Sequence, residues 1–170
     1  MEPTIVEKDQ IILMGVNFFG DPFNMTGWTE ENEIGRLWKR LEAFLAQHTE
    51  LMENIKNSGA GYEVWSSDEE TAAKGLFDIF AGVEIESLDD VPVELLVKVL
   101  PPTQYAIFTL QGEEITSDWS QKIYQEWLPN SGYESIYQYN FQYYDERFKG
   151  IDQIDESIID VYVPVKRVDT

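Results

Sequence analysis

Hydrophobic and polar positions alternate with two different periods along the chain, and the change of period predicts the elements. Ile11 to Gly20 is a nearly unbroken apolar run that ends at Gly20-Asp21-Pro22, the pattern of a buried strand closed by a turn. From Thr29 the period lengthens. Glu30, Glu31 and Glu33 supply the negative charge that a helix N-terminus favours, and Ile34, Leu37, Trp38, Leu41, Phe44, Leu45 and His48 then recur in steps of three and four. This predicts a helix that persists to about Lys56, where Asn57-Ser58-Gly59 stops it. Gly61 to Ser66 and Leu76 to Glu86 read as two strands, with a bulge expected at Gly82. The segment Val93 to Leu100 fits either a short helix or an edge strand.

The order then returns. Tyr105 to Gln111 is a strand; Thr116 or Ser117 caps a helix that carries Trp119, Ile123, Trp127 and Leu128 on its inner face; Ser135 to Tyr144 and Ile158 to Val165 are strands. Residue identity between the halves is poor, so the repeat rests on element order. The expected fold is α+β: duplicated β-α-β-β modules forming one mostly antiparallel sheet, with two main helices framing a central cleft. One domain spans residues 1–170, with halves at about 5–90 and 100–168.

Composition narrows the chemistry. With 32 acidic against 12 basic residues, the net charge of −20 disfavours nucleic acid and anionic membrane surfaces, which bind through clustered Lys and Arg. It favours a small organic cation or a basic protein partner. No cysteine and a single histidine, His48, exclude thiolate and multi-histidine metal sites, so no metal or cofactor is expected. The start Met1-Glu2-Pro3-Thr4 has no basic signal-peptide region and Ile11 to Val16 is too short to span a bilayer; the expectation is a cytoplasmic protein.

Aromatic residues, 14% of the chain, cluster where a pocket wall would need them. In the strand 136–144, Tyr137, Tyr139, Phe141 and Tyr143 occupy one face, and Ile136, Gln138, Asn140, Gln142 and Tyr144 the other. Either this is an aromatic core face backed by a solvated polar one, or it is the wall of a pocket. Trp119 and Trp127 lie two turns apart on one helical face and Trp28 and Trp65 flank turns, whereas Trp38 falls in the centre of a core stripe. Glu63 and Glu84 each sit among apolar strand neighbours, where a carboxylate is costly unless a cation pairs with it.

The ordered blocks Gly61-Tyr62-Glu63-Val64-Trp65, Phe77 to Val83, Tyr105-Ala106-Ile107-Phe108, Glu126 to Tyr133, Phe141 to Phe148 and Ile159 to Lys166 resemble the GyrI-like small-molecule-binding domain. The likeness is to its stand-alone, integron-cassette-type members and to the effector-binding halves of AraC-type and MerR-type transcription regulators. It implies a non-enzymatic module that binds a small aromatic or amphipathic compound in the central cleft, with Trp65, Tyr105, Phe108, Trp119, Trp127, Gln142 and Tyr144 as ligand-binding candidates. In such domains a glutamate of the penultimate strand commonly supplies the counter-charge, and this chain has Gln142 there. Either Glu63 or Glu84 substitutes for it, or the ligand is neutral. Two further readings stay open: a GyrI-like small-molecule hydrolase, and an acidic module engaging a basic protein such as a topoisomerase.

Overall fold

The computed structural model describes residues 1–22 and 32–169. Trp28 and the expected helix start at Thr29–Glu31 lie outside the described residues. Strands β1 (Thr4–Lys8) and β2 (Ile11–Gly20) come first. Helix α1 (Glu33–Gln47) follows, capped by Asn32, whose Oδ1 accepts the Gly35 N–H at 2.8 Å. It buries Leu37, Leu41 and Leu45 but ends earlier than the stripe suggests. His48 leaves helical geometry to stack on Phe44 with ring centroids 4.0 Å apart, and a 3-10 turn, Thr49–Asn54, takes over.

Next come β3 (Gly61–Ser66), the short helix α2 (Glu69–Ala73) and β4 (Phe77–Glu84). The β4 ladder runs unbroken through Gly82, which pairs with Gly15 on one side and Tyr62 on the other, so the expected bulge is absent. Glycine serves close approach instead. A Cβ on Gly15 would lie 2.0 Å from the Ala81 carbonyl oxygen, and one on Gly82 would lie 2.5 Å from the Phe80 ring.

The undecided segment is a strand, β5 (Leu96–Leu100), followed by β6 (Thr103–Gln111). The second helix departs from expectation. Asp118, not Thr116 or Ser117, caps a single α turn, α3 (Trp119–Gln121). The chain then widens into a π-turn (Lys122–Trp127), in which the Leu128 N–H donates to the Ile123 carbonyl, and closes in a 3-10 turn at Pro129. The expected strand 135–144 is two, β7 (Tyr133–Ser135) and β8 (Tyr139–Tyr144), both paired with β9 (Ile158–Arg167). The break falls opposite Pro164, which has no N–H to continue the ladder on that side.

All strand pairs are antiparallel, in the order β1-β6-β9-β8-β3-β4-β2-β5, with β7 also on β9. The order reads symmetrically about its centre: β6-β9-β8 of the second half mirrors β2-β4-β3 of the first. Glu63 faces Gln142 at the central β3–β8 pair, and they occupy equivalent positions in the two halves, opposite Ala81 and Val161 respectively. Only two residues join β1 to β2, and two join β5 to β6, reaching about 11 Å at most. The two ends of the strand order must therefore approach each other, and the sheet curls. Inside the curl pack Leu13, Tyr62, Val64, Phe80, Tyr105 and Phe141. On the outer face, α1 covers Met14, Ile79 and Val83, while the π-turn covers Phe108, Leu110 and Val161 through Ile123.

Candidate functional site

Strand alternation decides which side chains reach the helix-covered face. On β3 these are Gly61, Glu63 and Trp65; on β8 they are Asn140, Gln142 and Tyr144. Trp38 of α1 lies across Gly61, where a Cβ would stand 2.7 Å from the indole ring. The absence of a side chain at Gly61 is what lets α1 lower a tryptophan onto the floor of the sheet.

Glu63, only 4% exposed, is held by two indoles. Trp38 Nε1 donates to its Oε1 at 2.9 Å, and Trp65 Nε1 donates to its Oε2 at 2.8 Å. Burial pushes the Glu63 carboxyl above its usual range, against the pull of the two donors. Beside it the hydroxyl of half-buried Tyr144 donates to Gln142 Oε1 at 2.7 Å, and desolvation together with the Glu63 charge raises the phenol well above its ordinary value. Trp38 and Tyr144 meet edge to face at 5.9 Å, and Tyr144 meets Phe148 at 4.9 Å. Over these residues opens a cavity of about 430 Å³, walled by Trp38, Leu41, Tyr144, Phe148, Ile151 and Ile154, with Glu63 and Gln142 on its floor. Apolar walls and one buried carboxylate suit a bulky organic cation.

The structure gathers three of the expected residues, Glu63, Gln142 and Tyr144, into this cavity, with Trp65 behind Glu63 as its second donor. The others lie elsewhere. Glu84 points into the opposite face, where it accepts from the Tyr62 hydroxyl at 2.7 Å and pairs with Lys56 at 3.2 Å, beside a smaller recess. Tyr105 is fully buried inside the curl, its hydroxyl 2.7 Å from that of Tyr139. Phe108 is core, met edge-on by Trp127 at 5.1 Å, and Trp127 in turn stacks on Tyr133. Trp119 packs over the same core. The tryptophans of the second half thus fill the gap under an irregular helix rather than wall the cleft.

Trp38 packs against the core stripe as periodicity expects and also walls the cavity. Its apolar ring fits the core stripe, and only the pairing of its indole N–H with Glu63 reveals the other role. Phe148 precedes, and Ile151 and Ile154 lie three residues apart on, a 3-10 turn (Ile151–Glu156) before β9, a segment for which the apolar pattern predicts no element. Among the described residues no cluster of His, Asp and Glu side chains is arranged to hold a metal ion, and no helix is long and apolar enough to cross a membrane.

Three comparisons bear on this geometry. The family model for Cass2, the integron-associated effector binding protein, matches residues 4–165. The transcriptional regulator BrlR of Pseudomonas aeruginosa is 29% identical over 168 residues, which cover 97% of this chain and 56% of BrlR. The chain thus spans about half the length of that relative. Among solved structures, SAV2435 bound to tetraphenylphosphonium matches with a TM-score of 0.69 at 15% identity, covering 98% of this chain and 94% of that one. An integron cassette protein from the mobile metagenome of Vibrio cholerae matches with a TM-score of 0.58 at 15% identity, covering 97% and 96%. At such identities these structures establish a shared fold.

Proposed function

The chain belongs to the Cass2 family of integron-associated effector binding proteins, and on that footing we propose that it reversibly captures a bulky organic cation against Glu63. One observation carries this reading. A buried carboxylate opens onto a cavity walled mainly by apolar and aromatic side chains, with Lys39, Glu42 and Asp145 also in its lining, and among the described residues no lysine or arginine forms a salt bridge with it. Its two indole partners orient it without neutralising it. An unpaired buried charge is costly, and an entering cation offsets that cost while placing its aromatic groups against Trp38, Tyr144 and Phe148. The charge that Gln142 does not carry is carried by Glu63, the equivalent residue of the other half. The ligand bound by SAV2435, tetraphenylphosphonium, has this chemistry and supplies a probe.

The test is a titration of the intact protein with tetraphenylphosphonium, followed by tryptophan fluorescence. Trp38 and Trp65 both touch Glu63, so saturable quenching is expected, reduced in Trp38→Phe. Recovery of the probe unchanged separates capture from hydrolysis. A folded protein whose emission stays flat with this and other lipophilic cations contradicts the proposal.

A further inference from the structure

The hydrogen-bonding capacity of the cavity floor leaves one group unused. Both Glu63 oxygens accept indole N–H bonds, and Gln142 Oε1 accepts the Tyr144 hydroxyl. Among the described residues the Gln142 amide nitrogen has no hydrogen-bond partner, although the residue is only 8% exposed and lines the cavity. Among the described residues the fully buried side-chain atom without a partner is Asn140 Oδ1, so the Gln142 nitrogen is not sealed off. The orientation of the amide follows from Tyr144. That phenol is half-buried and, among the described residues, has Gln142 as its one hydrogen-bond partner, so if the amide were reversed the phenol proton would lose that acceptor. The arrangement therefore presents a negative charge and an unspent N–H donor side by side, on adjacent strands at the same register.

Resting on the reading of this cavity as a cation site, we propose that Gln142 is a specificity residue: the effector carries a hydrogen-bond acceptor, such as an ether or carbonyl oxygen, next to its cationic centre. A cation without one leaves the Gln142 N–H buried and unpaired when it seals the cavity. A glutamate at this position would offer no such donor in its ionised form, so the amide shifts selection from charge alone to charge plus an acceptor.

A matched pair of probes tests this. n-Pentyltriphenylphosphonium and 3-methoxypropyltriphenylphosphonium have the same charge and the same number of heavy atoms, and differ by an oxygen in place of a methylene. The wild type is expected to bind the ether tighter by about threefold to tenfold, the range of one net hydrogen bond. Tyr144→Phe retains the Gln142 N–H and should retain the preference. The double variant Gln142→Met with Tyr144→Phe removes the donor without stranding a phenol, and should bind both cations with the preference abolished or reversed. An unchanged ether-to-alkyl ratio in the double variant overturns the role of Gln142 and leaves cation capture standing. Failure of both probes to bind the folded wild type overturns the cation reading, and this inference with it.

Discussion

Replacing Glu63 by glutamine removes one charge and keeps the shape. In the wild type the two carboxylate oxygens each hold an indole N–H, at 2.9 and 2.8 Å. In Glu63→Gln one oxygen continues to accept, and the amide nitrogen meets the other indole as donor against donor. The stranded indole N–H costs about 1–3 kcal/mol. Loss of a buried charge works the other way, and the raised Glu63 carboxyl indicates that burial outweighs the two donors. The variant therefore stays folded, with a small change in melting temperature. Binding changes far more. The aryl groups of a tetraphenylphosphonium ion keep its charged centre about 5 Å from the carboxylate, where an effective dielectric of about 20 gives an attraction of roughly 3 kcal/mol. Losing it weakens binding by a factor of about 150. Calorimetric or fluorescence titration at physiological salt measures this directly. A Glu63→Gln protein that is folded by circular dichroism and binds within about threefold of the wild type, the span of ordinary mutational scatter, refutes the reasoning.

Four other outcomes follow from the same geometry. A bound cation favours ionised Glu63, so binding releases a proton wherever the group starts protonated; affinity should fall by about tenfold per pH unit as the pH drops through its raised value, and the dependence should vanish in Glu63→Gln. The same shift makes the contribution of Glu63 to apo stability greatest below the usual carboxylate range and lost as pH rises through the raised value, which pH-dependent melts of wild type and variant compare. Tyr105→Phe breaks the Tyr105–Tyr139 phenol pair on the far face and should cost about 1 kcal/mol of stability while leaving cation affinity unchanged; a weakened affinity would mean that Tyr105 reaches the ligand. Gly15→Ala drives a Cβ into the Ala81 carbonyl and should destabilise by about 1–3 kcal/mol or more, seen as a lowered thermal midpoint; an unchanged midpoint would show that the β2–β4 pair yields easily.

Most of the sheet was legible because its strands carry strong apolar runs. Gly61–Ser66 and Ile11–Gly20 match the pattern residue for residue. The element order that repeats in the two halves was legible for the same reason. What escaped depends on partners remote in sequence. β1 is short and polar, and it is a strand because β6 offers it an edge. The break between β7 and β8 is set by Pro164 on the neighbouring strand, and the π-turn by packing of Ile123 and Trp127 under a helix interrupted at Pro129.

The site divides the same way. Glu63 and Glu84 look alike in sequence, each an acid among apolar neighbours. Strand alternation sends Glu63 toward α1 and Glu84 to the opposite face, and only the register of β3 against β4 and β8 distinguishes them. Trp38 shows the converse. A ring that satisfies a core stripe also carries a polar N–H, and its destination depends on the acid it meets 25 positions later. Phe108, Trp119 and Trp127 fill the core under an irregular helix and Tyr105 fills the interior of the curl, uses of aromatic bulk that the sequence does not distinguish from a pocket wall.

Tetraphenylphosphonium and tetraphenylborate share a shape and differ in the sign of their charge, so a comparison of the two isolates the role assigned to the buried carboxylate. Measured at high salt, where the acidic surface is screened, the cation should saturate the tryptophan signal and the anion should leave it unchanged. Equal binding of both ions would show that the cavity selects by shape alone, and would contradict the account.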